Sequence, residues 1–108
     1  QVVAVCGDGG FLFTAQEMAT AVQHGLNVVV VVFNDNAYGS IEGFQRARFG
    51  RTFAADLVNP DFVRLAEAFG AWAARAPTPD ALNAALSAAL RAQRPALIEV
   101  PLRLEPDV

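Results

Sequence analysis

Apolar positions along this chain fall into three kinds of pattern. Runs dense in apolar residues come first: Gln1-Val-Val-Ala-Val-Cys6 at the start, Val28 to Phe33 in the first third, and Ala96 to Val100, apolar apart from Glu99, near the end. Val28 to Phe33 holds five consecutive Val and a Phe without alternation, which fits a strand buried on both faces of a parallel sheet. A second set repeats at helical spacing. Met18, Ala21 and Val22 share one face, as do Phe62, Leu65, Ala66 and Phe69, and later Leu82, Ala85, Leu86, Ala89 and Leu90. The third set is weak. Ala37 to Arg48 is amphipathic in outline but interrupted by Gly39 and Gly43, Gly50 to Val58 reads as an irregular loop, and Ala71 to Ala74 reads as a short strand.

The punctuation between these runs supplies starts and stops. Thr14-Ala-Gln-Glu17 has the spacing of a capping box, which predicts a helix from Ala15 to His24, ended by a left-handed Gly25. Asn34-Asp35-Asn36 ends the valine strand with turn-forming residues. Asn59-Pro60 reads as N-cap and first helical residue, Thr78-Pro79-Asp80 repeats that design, and Gly70 and Pro101 act as stops. The resulting order is β-α-β-α-α-β-α-β. It predicts an α/β fold, a parallel sheet with helices on both faces, over a single domain spanning residues 1–108. The polar tail from Leu102 to Val108 reads as loosely held. Because the chain opens inside a core strand, it reads as N-terminally truncated, a piece of a longer polypeptide with exposed apolar surface and a tendency to self-associate.

Composition narrows the function. Of 108 residues, 54% are hydrophobic and 18% charged, with eight Arg, no Lys and a net charge of −3, too apolar and too weakly charged for disorder. The acidic balance argues against nucleic acid as a partner. No run is long enough to span a membrane and no signal peptide is visible, so the chain reads as cytoplasmic. One Cys and one His exclude a disulfide framework, a Cys- or His-based metal site and a serine-type triad. Chemistry is left to Asp, Glu, Asn and backbone.

Two polar segments satisfy the rule that ligands bind outside the carboxyl ends of parallel strands. Gly7-Asp8-Gly9-Gly10 follows the first strand, and Asn34-Asp35-Asn36 follows the second. If those strands are parallel neighbours, Asp8 and Asn34 or Asp35 converge on one cation, and hard oxygen donors in small number suit Mg²⁺ shared with a phosphate. The glycines let backbone N–H groups approach that phosphate, with the helix starting near Thr14 adding its positive end. The spacing is not GxGxxG, and without Lys there is no Walker loop.

Gly7-Asp8-Gly9, followed 27 positions after Asp8 by Asp35 within Asn34-Asp35-Asn36, resembles the diphosphate and metal motif of thiamine-diphosphate enzymes. Gln16 to Ala21, Gly25-Leu26-Asn27, Tyr38-Gly39, Asn59 to Val63 and Leu65 to Gly70 resemble the same family, nearest its acetolactate synthase, pyruvate oxidase and benzoylformate decarboxylase branch. The resemblance runs from Val2 to Val100. It implies the family's diphosphate-binding domain, with thiamine diphosphate and Mg²⁺ as cofactors. By position, Asp8 and Asp35 would be side-chain metal ligands and Ala37 a carbonyl ligand. Gly7, Asp8, Gly9, Gly10, Asn34, Tyr38 and Gly39 would lie along the cofactor. Asp35 replaces the second Asn of the family's pair and adds a negative charge; Asn34 and Asn36 stay open as the second ligand. The implied parent decarboxylates a 2-oxo acid and releases an aldehyde or ligates the carbanion to a carbonyl. It would be a homo-oligomer whose partner subunit supplies a pyrimidine-binding domain and its activating Glu. No catalytic residue is assigned to this chain, and turnover is not expected from it alone.

Two rival readings are kept. One is a degenerate, non-catalytic assembly or regulatory module of the same fold, which Asp35 would fit; the other is an ordinary dinucleotide-binding domain, against which the missing GxGxxG counts. Other residues have plainer roles. Glu17 caps, His24 faces a helix carboxyl end, and Cys6 and Trp72 pack in the core with the Phe residues. Phe11 and Phe13 stand apart as candidates for a cofactor pocket or a subunit interface. Arg46, Arg48 and Arg51 form a solvated face.

Overall fold

The valine run becomes an interior strand of a four-stranded parallel sheet. The structure, a computed structural model, describes residues 1–102. Its elements are β1 (Val2–Gly7), α1 (Asp8–Phe13), α2 (Glu17–Gln23), β2 (Val28–Asn34), α3 (Gly39–Phe49), α4 (Phe62–Phe69), β3 (Trp72–Arg75), α5 (Pro79–Ala92) and β4 (Ala96–Pro101). The sheet order is β1-β2-β4-β3, with every neighbouring pair parallel. Val2 pairs with Val28 and Gly7 with Phe33, so β1 and β2 end side by side.

Alternation along the strands divides the core in two. Val32 and Leu97 face α1, α2 and α4, where they meet Phe11, Met18, Phe62 and Ala66. Phe11 and Phe62 stack edge to face with centroids 5.7 Å apart. Val29, Val31, Ile98 and Val100 face α5 and meet Ala89. Helices therefore lie on both faces, as the pattern predicts.

Several local expectations change. The glycine-rich stretch after β1 is not a bare loop, because Asp8–Phe13 forms the short helix α1, anchored by buried Phe11. The capping box does not form. Thr14 closes α1, and Gln16 enters α2 already in the right-handed helical region (φ −62°, ψ −18°). The N–H groups of Glu17, Met18 and Ala19 are taken by the carbonyls of Thr14, Ala15 and Gln16, which leaves Thr14 no donor to cap. Glu17 instead accepts from the Thr20 hydroxyl at 2.9 Å. Gly25 does adopt positive φ (59°), and Leu26 N–H donates to the Ala21 carbonyl beyond it, a Schellman closure. The cap of α4 is Asp61, whose carboxylate accepts from Arg64 N–H at 3.1 Å, so Asn59 is not the cap and Pro60 precedes the helix. Thr78 caps α5 ahead of Pro79, as its sequence predicts.

Burial also departs from the run pattern at the edges. β1 is an edge strand that α5 does not reach, so Val2, Val3 and Val5 are exposed, Val5 at 66%. No residue of α3 is buried, because no part of the sheet lies beneath it. Phe44, Phe49 and Phe53 are therefore exposed rather than core, as is Phe13, while Phe11 is buried. Among the described residues no helix is long and apolar enough to cross a membrane. The tail expected to be loose lies, past Leu102, outside the described residues.

Candidate functional site at the carboxyl ends of β1 and β2

Parallel pairing of β1 and β2 brings Asp8 and the Asn34-Asp35-Asn36 turn to one place. Asp8 is 2% exposed. Its Oδ1 accepts from Gly9 N–H at 2.9 Å and its Oδ2 from Asn36 N–H at 2.9 Å. Asn36 reaches Asp8 from a left-handed backbone (φ 57°), a conformation Asn tolerates better than most residues. The Asp35 carboxylate turns back on its own loop and accepts from Ala37 N–H at 3.3 Å. Partial burial, and then the negative charge of Asp8, push the Asp35 carboxyl above its ordinary range.

A second strand-like segment holds that turn. Tyr38 N–H donates to the Ala55 carbonyl and Leu57 N–H to the Asn36 carbonyl, both at 2.8 Å, around an antiparallel bridge between Ala37 and Asp56. This pairing turns the Ala37 carbonyl away from residues 55–57. A cavity of about 180 Å³ opens beside it, lined by Gly7, Asp8, Gly9, Gly10, Ala37, Tyr38, Gly39, Ser40 and Ile41. The first turn of α3 faces this cavity, and no side chain caps it. Its free N–H groups are donors suited to an anion. The helix ends at the cavity are those of α1 and α3, not one near Thr14; Thr14 and Glu17 line a separate groove with Ala4, Cys6 and Met18.

Asn34 is buried, at 8% exposure, and its amide is engaged at both ends. Oδ1 accepts from Asn36 N–H at 3.2 Å and from Asn59 Nδ2 at 2.8 Å, and Nδ2 donates to Glu99 Oε1 at 2.8 Å. Asn59 Nδ2 also donates to Asp8 Oδ2 at 2.6 Å. Glu99, 5% exposed, accepts on its other oxygen from Arg75 Nε at 2.7 Å, and Arg75 Nη2 reaches Asp61 Oδ1 at 3.1 Å. The sequence reading did not anticipate Asn59, Glu99 or Arg75 at this site. Asn59 carries a cap signal that hides its long-range role, and the signal that could have found Glu99 is that it is a lone acid inside the otherwise apolar segment Ala96–Val100 and requires a partner once buried.

The donor set fits a hard divalent cation. Two carboxylates from adjacent strand ends lie close enough for one to raise the pKa of the other, which a cation would relieve. A carbonyl turned outward and a glycine-lined cavity with free helix N–H groups suit a phosphate sharing that cation. No group of three His, Cys, Asp or Glu side chains exists among the described residues, so further ligands must come from backbone, water or the phosphate itself.

The chain is similar to known proteins along nearly its whole length. Residues 1–100 match the family described as thiamine pyrophosphate enzyme, C-terminal TPP binding domain. Acetolactate synthase of Bacillus subtilis (strain 168) is 42% identical over 102 residues, which is 94% of this chain and 18% of that protein. A 2-hydroxyacyl-CoA lyase of Oryza sativa subsp. japonica is 42% identical over 107 residues, 92% of this chain and 18% of that protein. The solved structure of the thiamine diphosphate-dependent 4-hydroxybenzoylformate decarboxylase of Rhodococcus jostii RHA1 superposes with a TM-score of 0.92 at 31% identity. It covers 99% of this chain and 20% of that one. The chain thus spans about a fifth of the length of the relatives it matches. It belongs to the thiamine pyrophosphate enzymes and forms their C-terminal cofactor-binding domain.

Proposed function

We propose that this chain holds the diphosphate of thiamine diphosphate through Mg²⁺, within an enzyme that decarboxylates 2-oxo acids and releases or ligates the product. The observation that carries the proposal is the meeting of Asp8 with the Asn34-Asp35-Asn36 turn beside a glycine-lined cavity at adjacent parallel strand ends. Asp8, Asp35 and the Ala37 carbonyl are the proposed protein ligands. Gly7 and Gly10, where a side chain would meet open space, leave room for the diphosphate, Gly9 lines the cavity beneath Tyr38, and backbone N–H groups of Gly39 and Ser40 at the start of α3 hydrogen-bond its oxygens. The Tyr38 ring, packed on Gly9, walls the cavity. Asn34 and Asn36 act from behind, through their bonds to Asn59, Glu99 and Asp8, rather than as ligands. When bound, thiamine diphosphate supplies the carbanion chemistry, and the protein supplies orientation and charge. Among the described residues the cavity has no acid–base group besides the proposed ligands and Tyr38, and the group that activates the pyrimidine is proposed to come from a partner subunit in a cytoplasmic homo-oligomer.

Thermal melts with Mg²⁺, with thiamine diphosphate and with both test this reading. Ligand at about 100 times its dissociation constant stabilises a fold by about 2.7 kcal/mol. A shift that needs both ligands and disappears in Asp8→Ala is the expected result. Absence of any shift in the full chain favours a non-catalytic module of the same fold.

A further inference from the structure

The polar side chains at the carboxyl ends of the strands form one hydrogen-bonded line. Asp8 follows β1, Asn34 ends β2, Glu99 lies in β4 and Arg75 ends β3, so the line crosses the sheet in its spatial order. Asn59, from the segment before α4, bridges its first two members. We propose that Asn59 is a positioning residue for the metal-binding carboxylate of Asp8, itself aligned by Asn34 and the Glu99–Arg75 pair. This inference rests on the reading of Asp8 as a Mg²⁺ ligand.

The direction of each bond carries the argument. Asp8 Oδ2 accepts two bonds from behind, one from Asn36 N–H and one from Asn59, whereas Oδ1 accepts only from its neighbour Gly9. The carboxylate is thereby held against rotation with one oxygen less committed than the other. Both protons of Asn59 Nδ2 are used, on Asp8 Oδ2 and Asn34 Oδ1. Reversing that amide would set its oxygen against two acceptors. Asn59 Oδ1, in contrast, is buried with no partner among the described residues, so the amide is held by its donor end alone. Asn34 cannot reverse either. Its Nδ2 faces the Glu99 carboxylate, which only accepts, and Arg75 compensates the buried charge. Donation therefore diverges from Asn59, to Asp8 on one side and to Asn34 on the other, and Asn34 and Arg75 both donate to Glu99, which closes the line. Groups that orient a metal ligand in this way typically change metal affinity 10–100-fold when lost.

The test is Mn²⁺ binding to the full chain in saturating thiamine diphosphate. It is followed by the electron paramagnetic resonance signal of free Mn²⁺ and normalised to the folded fraction by near-ultraviolet circular dichroism. Asn59→Ala is expected to weaken Mn²⁺ about tenfold. Asn59→Asp, the same size but with an oxygen facing Asp8, is expected to weaken it more, and provides the measurement if the alanine variant folds poorly. Asp8→Ala is expected to abolish binding. If Asp8→Ala abolishes binding while folded Asn59→Ala or Asn59→Asp binds within about twofold of the native protein, Asn59 is only structural and the proposal is overturned. If Asp8→Ala binds like the native protein, the metal reading itself fails and the positioning role fails with it.

Discussion

The ring of Tyr38 fills the space that a side chain at position 9 would need. A Cβ built on Gly9 falls 2.7 Å from Tyr38 Cδ1, nearer still to Cε1, and 3.3 Å from Leu57 Cδ1. Glycine is required here by a neighbour, not by its own backbone angles. Gly9→Ala is expected to displace the ring and cost about 1–3 kcal/mol. Urea denaturation measures the loss. A double-mutant cycle with Tyr38→Ala should recover most of it, because the clash has then been removed.

Asp35→Asn should stabilise the metal-free protein at neutral pH. Burial and the Asp8 charge raise the folded-state pKa of Asp35, so its ionised form opposes folding. That penalty is complete above the raised folded-state pKa and vanishes as the pH falls below the unfolded-state value. Melts of both proteins without divalent cation, run from neutral pH down through the carboxylate range, should therefore converge on acidification. A constant difference would mean that the effect is not electrostatic.

Phe62 is fully buried and meets Phe11 edge to face, which ties α4 to α1 beside the site. Phe62→Ala is expected to cost about 3–5 kcal/mol, visible as a lower denaturant midpoint with little change in slope.

Arg75 balances the buried Glu99 and also reaches Asp61. Arg75→Met leaves the Glu99 carboxylate short of a donor and is expected to cost about 1–3 kcal/mol by urea denaturation. Adding Glu99→Gln should recover part of that, since position 99 then carries no uncompensated charge.

Asp61 gives an acid-limb signature. The Arg64 N–H first, and then the Arg75 and Arg64 cations, hold its carboxyl below the ordinary range. Its stabilisation is present above the unfolded-state pKa and is lost as the pH falls through the lowered folded-state value. Asp61→Asn keeps a capping oxygen but removes the charge. A shallower loss of melting temperature on acidification is the expected outcome.

Much of this architecture is legible in the residues themselves. Five valines in a row fit an interior strand, as β2 proves to be, and Asp8 and Asp35 declare themselves by following apolar strand patterns. Local signals misled where a long-range partner claimed the same group. Asn59-Pro60 has the form of a helix start, yet the Asn59 amide is spent on Asp8 and Asn34, which lie 51 and 25 positions away. Thr14 and Glu17 have capping-box spacing, but α1 ends where that box would begin, and no free donor remains. The Phe residues of α3 and the following loop carry a core composition without a core position, because hydrophobicity does not say which surface lies opposite.

β1 pairs on one side only, and valines on both its faces meet solvent. Its outer N–H and C=O groups form an open template, with neither a charged side chain nor a proline from Val2 to Cys6 to discourage an added strand. For this domain the outer edge of β1 is open to any extended segment that reaches it, from a second copy as readily as from another chain.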